Sequence, residues 1–267
     1  MTLTTKHHTD ANATKAWHDA ISAAYTSPDR SRADALIERA AERLAATAAH
    51  ATNPGLTWSG GKDSAALLYV AHRAGIQRGM CGLTRVEFPE YERWAHTNLP
   101  DGIDVFYRDT ITVEWVAKHP DYLFPADYKS YYGWTVKGHQ WAQNRWAHDT
   151  NTDMLIFGRR TGDGNSCGPG GIRQRRDGIT LNCPIYDWTH DDVLCVLGAY
   201  NAPLPPQYWW PRALRHTTGR WPNRERLVGG IAQNWHEIAI IDRTVVEDAA
   251  RVIDSARHYL DTGGATP

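Results

Sequence analysis

The spacing of apolar and polar positions divides the chain into alternating helices and strands. Residues 29–50 are alanine-rich, with Leu36, Ile37, Ala40 and Leu44 at helical spacing and charged residues between them, which predicts a helix halted by Asn53-Pro54-Gly55. A short apolar run at 56–58 predicts a strand that ends in a loop, followed by a helix over 64–74 with Gly75 as its C-cap and a second buried strand at 79–84. Strand, helix and strand of these lengths predict a parallel pair. A proline turn at 86–90, a helix to about 98, a strand at 103–107 and a helix at 112–119 follow.

Residues 120–133 are rich in Tyr, Pro and Asp without a period and read as a loop. Helical spacing returns over 134–148 through Val136, Gln140, Trp141, Asn144 and Arg145, and 154–157 reads as a strand ending at Gly158-Arg159-Arg160. Residues 161–171 hold five glycines and a proline, a loop composition expected at the mouth of a site. A strand at 179–185 leads to a helix that Thr189 can cap ahead of Asp191 and Asp192. Past the proline-rich stop at 202–206 come an arginine-bearing stretch to 226 and two helical runs, 231–241 and 245–260. The alternation predicts an α/β fold, a doubly wound parallel sheet, over residues 51–210. An N-terminal helical extension (1–50) and a C-terminal helical segment (211–267) flank it, a size suited to one such domain with extensions.

Composition narrows the partners. The formal net charge of −1 gives no global signature for nucleic acid or anionic membrane, so partners have to be argued locally. No apolar run has the length of a membrane span. Residues 1–14 carry little apolar content and are expected to be mobile at their start, and 1–10 lack the apolar core of a signal peptide, which makes a cytoplasmic location the expectation. The cysteines Cys81, Cys167, Cys183 and Cys195 are scattered without a C-x-x-C pair, as reduced thiols are. The twelve tryptophans read as core or interface material.

The chemistry gathers at Ser59-Gly60-Gly61-Lys62-Asp63-Ser64, between the first strand and its helix. Two glycines let the backbone turn tightly and bring N–H groups up to an anion. The helix start aims free donors and the positive end of its dipole at the same point. Ser59 and Ser64 offer hydroxyls and Lys62 a mobile cation, so the predicted ligand is a polyphosphate. Asp63 stands where a Walker A loop requires Ser or Thr, which disfavours γ-phosphoryl transfer.

Those six residues resemble the S-G-G-x-D-S loop of the PP-loop ATP pyrophosphatases, which bind ATP and cleave it between the α- and β-phosphates. Three further blocks are similar to the branch holding the phosphoadenosine phosphosulfate (PAPS) reductases and the small subunit of ATP sulfurylase. Thr84-Arg85-Val86-Glu87-Phe88-Pro89-Glu90 resembles their T-G-x-x-F-P-E-T segment. Gly158-Arg159-Arg160 resembles their glycine-x-arginine element, whose arginine faces phosphates or sulfate. The stretch from Pro184 to Val193, with Trp188, Thr189 and Asp192, resembles their P-[IL]-x-x-W-T-x-x-D-[VI] block. The resemblance covers about residues 56–208 and implies an adenine-nucleotide-α-hydrolase-like fold with ATP at the carboxyl ends of the strands. Its implied nucleotide-binding set is Ser59, Gly60, Gly61, Lys62, Asp63, Ser64, Thr84, Arg85, Glu87 and Gly158.

Arg85 departs from the family glycine and can instead reach an anionic substrate. No cysteine follows Cys195, so the reductases' C-terminal nucleophile is missing, as are the paired cysteines of their iron–sulfur members. What the resemblance leaves is adenylation: ATP bound with Mg²⁺, pyrophosphate held by the loop, and an acceptor attacking the α-phosphorus. Catalysis of that kind is positioning and charge stabilisation, which points to Lys62, Arg159 and Arg160 as the catalytic cations and to Asp63 as a loop carboxylate or Mg²⁺ ligand. The alternatives are a nucleotide-binding module of a larger assembly, and a sulfonucleotide reductase using an atypical cysteine.

Cys167 can be read as an exposed thiol activated by Arg159, Arg160 and Arg173, or Cys167 and Cys183 as one loop thiol and one buried strand thiol, the commoner role of lone cysteines. Arg173, Arg175 and Arg176 with Lys129, Lys137 and Arg145, interleaved with Tyr131, Tyr132, Trp134 and Trp141, read either as a solvated surface or as a local nucleic-acid face. His139, His148 and His190 lack metal-ligand spacing, so no zinc is predicted. The acceptor is not identified by any pattern. A partner protein is implied by the resemblance alone, since sulfurylase small subunits work with a GTPase.

Overall fold

The structure is a computed structural model that describes residues 11–212 and 219–264. The polar start at 1–10 and part of the arginine-bearing stretch lie outside the described residues. In chain order, α1 (Ala11–Thr26) and α2 (Arg30–Ala48) precede β1 (Pro54–Thr57), α3 (Lys62–Arg73) and β2 (Gly79–Thr84). Next come α4 (Pro89–Thr97), β3 (Ile103–Arg108), α5 (Val113–Lys118), α6 (Tyr128–Trp134) and α7 (Trp141–Asp149). Strands β4 (Met154–Ile156), β5 (Ile172–Gln174) and β6 (Thr180–Asn182) lead to α8 (His190–Ala199), α9 (Gly230–Ala249) and α10 (Asp254–Asp261).

One sheet carries all six strands in the order β3-β2-β1-β4-β6-β5. The pairs β1–β2, β1–β4 and β4–β6 are parallel, with Leu56 opposite Gly79 and Ile156, and β5 runs antiparallel to β6. The fold is therefore α/β with a doubly wound, mostly parallel sheet. The chain moves outward from β1 to β2 and β3, then returns to β1's other side with β4. The order reverses between β1 and β4, and at such a reversal the loops leaving the carboxyl ends part and open a crevice.

The described residues form two compact units. The first draws on Met1–Cys81, Asn98–Phe106 and Gln143–Pro205. In it α1, α2, α3 and α8 pack on one another, burying Trp17, Leu36, Leu44, Leu67, Val70 and Leu197. Gly55 leaves room in β1 for the Trp146 indole, whose Nε1 donates to Asp104 at 3.0 Å. Thr189 and Asp192 form a reciprocal capping box on α8, the start anticipated from the sequence.

The second unit draws on Gly82–Thr97, Tyr107–Ala142 and Pro206–Pro267. Its core is aromatic, with Phe124 edge-on to Trp235 and Trp221 beside the same ring. Glu87 is buried and accepts from Thr84 N, Thr84 Oγ1 and Arg220 Nε at 3.0–3.1 Å. Glu237 likewise accepts from Arg212 and the fully buried Arg224.

Two local expectations need correction, and one strand adds to them. The loop read at 120–133 contains α6, capped by the Asp127 carboxylate accepting from Ser130 N. Tyr128, Tyr131 and Tyr132 are exposed and only Trp134 is buried, so the helix has no apolar stripe to reveal it, and it continues into a π-helical turn, Thr135–Gln140. Strand β5 went unread because all three of its residues are exposed at the sheet edge, which leaves no alternation. At the carboxyl end the break expected between the two helical runs falls at Asp242, whose carboxylate accepts from Thr244, but the second run is interrupted once more before α10.

Candidate functional site

The loop after β1 is built as a cradle. Gly60 has φ +69°, a conformation that favours glycine, and Gly61, which has no side chain of its own, stands at the N-cap of α3. Ser64 folds the loop on itself: its Oγ donates to Gly61 O at 2.9 Å, accepts from Ser59 N at 3.1 Å and lies 3.1 Å from Ser59 Oγ. Ser59 is exposed beside it.

The loop after β4 rests on this cradle. A Cβ on Gly158 would stand 2.7 Å from the carbonyl carbon and oxygen of Asp63 and 2.9 Å from Ser64 N, all backbone atoms. Glycine at 158 is thus what lets the two loops of the reversal meet. Gly158→Ala is expected to destabilise the protein by about 1–3 kcal/mol through overpacking, read as a lower urea midpoint. An unchanged midpoint would mean that the loops are not in contact.

Beneath the loops lies a buried charge network. Lys62 Nζ donates to both Asp63 oxygens, at 2.8 and 2.7 Å. Arg160, 1% exposed, donates from Nε to Asp63 Oδ1 at 2.8 Å, from Nη1 to Trp188 O at 3.1 Å and from Nη2 to both oxygens of Asp163 at 2.8 Å. The same Nη2 is 2.8 Å from His190 Nδ1. A guanidinium only donates, so Nδ1 accepts and the imidazole proton belongs on Nε2, which is 3.6 Å from Asp163 Oδ1. Trp17 meets the His190 ring edge-on.

Each titration follows from this packing. Burial opposes ionisation of Asp63, but Lys62 and Arg160 outweigh it and hold its carboxyl below the usual range. Burial and the Asp63 charge push Asp163 up against the pull of Lys62 and Arg160. Burial, Lys62 and Arg160 together push His190 down to about 4, so it is neutral at pH 7.

The structure therefore brings Ser59, Gly60, Gly61, Lys62, Asp63, Ser64, Gly158 and Arg160 together. Arg159 is half-buried with its guanidinium 4.3 Å from the Phe157 ring centroid, and no carboxylate pairs with it among the described ion pairs. Arg160 is a tie between loops rather than a free cation, which leaves Arg159 as the arginine available to an anion. Thr84, Arg85 and Glu87 belong to the second unit. There Arg85 is held over the Tyr107 ring and pairs with Asp109, and burial pushes Glu87 up despite Arg220 and Thr84.

Asp163, His190 and Trp17 were missed in the sequence. The available signal was that Asp163 is the only acid between positions 154 and 176, three residues after Arg160. The activated-thiol reading of Cys167 is corrected: the residue is buried, and burial pushes its thiol up despite Arg159. Cys183 is pushed up to about 12, mainly by burial and by the neighbouring Cys167. Of the basic and aromatic set, Arg145, Arg173, Arg175 and Arg176 lie in the first unit, and Lys129, Tyr131, Tyr132, Trp134, Lys137 and Trp141 in the second.

Among the described residues, no three His, Cys, Asp or Glu side chains group as a metal site. Both Asp63 oxygens already accept from cations, so the residues present do not fit a protein-held Mg²⁺. No helix among the described residues is long and apolar enough to cross a membrane.

No protein-family model matches the sequence, and no curated protein matches it. Among solved structures the chain is similar to phosphoadenylyl-sulfate (PAPS) reductase from Candida auris in a phosphate complex. The TM-score is 0.49 at 16% identity, over 67% of this chain and 91% of that one. It is also similar to FMN adenylyltransferase from Candida glabrata, with a TM-score of 0.45 at 14% identity, over 73% of this chain and 66% of that one.

Proposed function

We propose that this chain binds ATP at the loop Ser59–Ser64, cleaves it between the α- and β-phosphates and transfers the adenylyl group to an acceptor. The observation that carries the reading is the cradle itself: a Gly60 turn leading into a helix with Gly61 at its N-cap and the positive end of its dipole at the point where the strand order reverses. The S-G-G-K-D-S sequence of that loop supports a pyrophosphate as the group it holds.

In the reaction an acceptor oxygen attacks the α-phosphorus, the bond from that phosphorus to the bridging oxygen breaks, and pyrophosphate leaves with the electron pair. Lys62 exchanges its contact with Asp63 for one with a phosphate oxygen, while Arg160 keeps Asp63 in place and compensated. Arg159 meets the remaining charge, on the leaving pyrophosphate or the acceptor. No step is routed through Mg²⁺; a metal would enter with the nucleotide's phosphates. The buried, raised thiols of Cys167 and Cys183 speak against thiolate attack on a sulfonucleotide.

The test is exchange of labelled pyrophosphate into ATP, with and without added nucleic acid or sulfate. Exchange is the expected result. ATP binding without exchange under every addition would replace the enzyme reading with that of a nucleotide-binding module, and failure to bind ATP would overturn both.

A further inference from the structure

Strands β5 and β6 form an antiparallel ribbon at the sheet edge, with Arg173 opposite Leu181 and the ladder continued by Arg175 N donating to Ile179 O at 2.9 Å. Every residue of β5 is exposed. Residues 154–186 hold five arginines against two aspartates. Arg160 takes Asp163, and Arg175 takes Asp177 and Asn144 Oδ1. Arg159, Arg173 and Arg176 are left without a carboxylate among the described ion pairs, a local surplus in a chain whose net charge is −1.

The placement of the surplus separates a polymer from a small anion. Arg159 follows the end of β4, whose Ile156 stands opposite Asn182, and Arg173 enters β5 next to Ile172, which pairs with the same Asn182, so both stand toward the carboxyl end of β4 and β6, where the phosphate loop lies. Because β5 runs antiparallel, the chain carries Arg176 toward the opposite end of the ribbon, about 10 Å further along at strand spacing. A sulfate or a mononucleotide meets one end of this row only. A phosphodiester chain can meet both, and guanidinium matches phosphate oxygens in pairs.

We propose that the β5–β6 ribbon binds the phosphodiester backbone of a nucleic acid through Arg173 and Arg176, and that this polymer is the acceptor presented to the phosphate loop. Its second half rests on the adenylation reading; its first half does not.

The test is fluorescence anisotropy without ATP, using a short labelled single-stranded DNA, its duplex and the matching RNA across a salt series. At least one is expected to bind, and the tightest names the form recognised. The double substitution Arg173→Ala with Arg176→Ala should weaken binding at least tenfold and lower the slope of log K against log salt by roughly 1.4–1.8. Both side chains are exposed, so the variant should keep its melting temperature. Arg173→Glu with Arg176→Glu should weaken binding further. In the wild-type protein, ribbon binding without pyrophosphate exchange would sink the adenylation reading and not the ribbon. Absence of binding to all three polymers at low salt, binding indifferent to the double substitution, or equal displacement by polyglutamate would overturn the proposal.

Discussion

Lys62→Ala is expected to lower pyrophosphate exchange by about 10²–10³-fold, the loss typical of removing one charge-stabilising donor from a preorganised site. The side chain is 7% exposed and held by the Asp63 carboxylate, so its ammonium waits at the helix start at no cost of finding that position. A polyphosphate carries far more negative charge than one carboxylate, and the cation can move to it by bond rotation alone. The backbone donors of the cradle remain in the variant, so ATP binding should weaken less than exchange does. Asp63 keeps its bond from Arg160, and the fold should persist, checked by an unchanged near-ultraviolet circular dichroism spectrum. Lys62→Arg keeps the charge and should recover part of the exchange. Exchange at the wild-type rate in Lys62→Ala would remove the loop from the reaction.

The main lines of this site were legible because its chemistry is local in sequence. Ser59 to Ser64 is a contiguous loop, and its glycines, hydroxyls and lysine declare what the backbone must do there. The strands feeding it, β1, β2 and β4, are short apolar runs bounded by polar residues, and their alternation with helices announced the parallel sheet. What the sequence hid is what only tertiary packing creates. Arg160 looks like a free cation beside Gly158 and Arg159, and it becomes a buried tie because Asp63 and His190 arrive from two other segments and Asp163 turns back onto it. Cys167 lies in a glycine-rich stretch that suggests exposure. Yet the turns at Gly168 and Gly171 fold the chain back onto Cys183, whose N–H donates to Gly171 O at 2.8 Å, and the thiol is covered. Strand β5 and helix α6 escaped for the opposite reason: their residues face solvent, and without a buried side neither leaves a hydrophobic period to read.

Removing Arg160 should have the largest effect on stability. Arg160→Met leaves Asp63 with Lys62 alone and Asp163 with no cation bonded to it among the described contacts, and breaking a buried pair in this way costs about 3–5 kcal/mol. The urea midpoint should fall accordingly, and Arg160→Lys, which keeps the charge but not the fork of donors, should fall between the two. The His190 titration tells the network apart from simple packing. In the wild type its pKa is about 4 folded against an ordinary 6.5, so between those values the unfolded chain takes up a proton that the folded one refuses. Its contribution is complete above pH 6.5 and is lost as pH falls toward 4, a difference of about 3 kcal/mol at the rate of 1.36 kcal/mol per pKa unit. Arg160 is one of the cations that depress His190, and both carboxylates it neutralises lie close by. In Arg160→Met the His190 pKa, followed by the NMR shift of its ring protons, should therefore climb toward 6.5, and the acid-induced loss over that window should shrink even as the protein starts from a lower stability. A His190 pKa that stayed near 4 in this variant would show that burial and Lys62 set it, and that Arg160 joins the two loops without governing the charge between them.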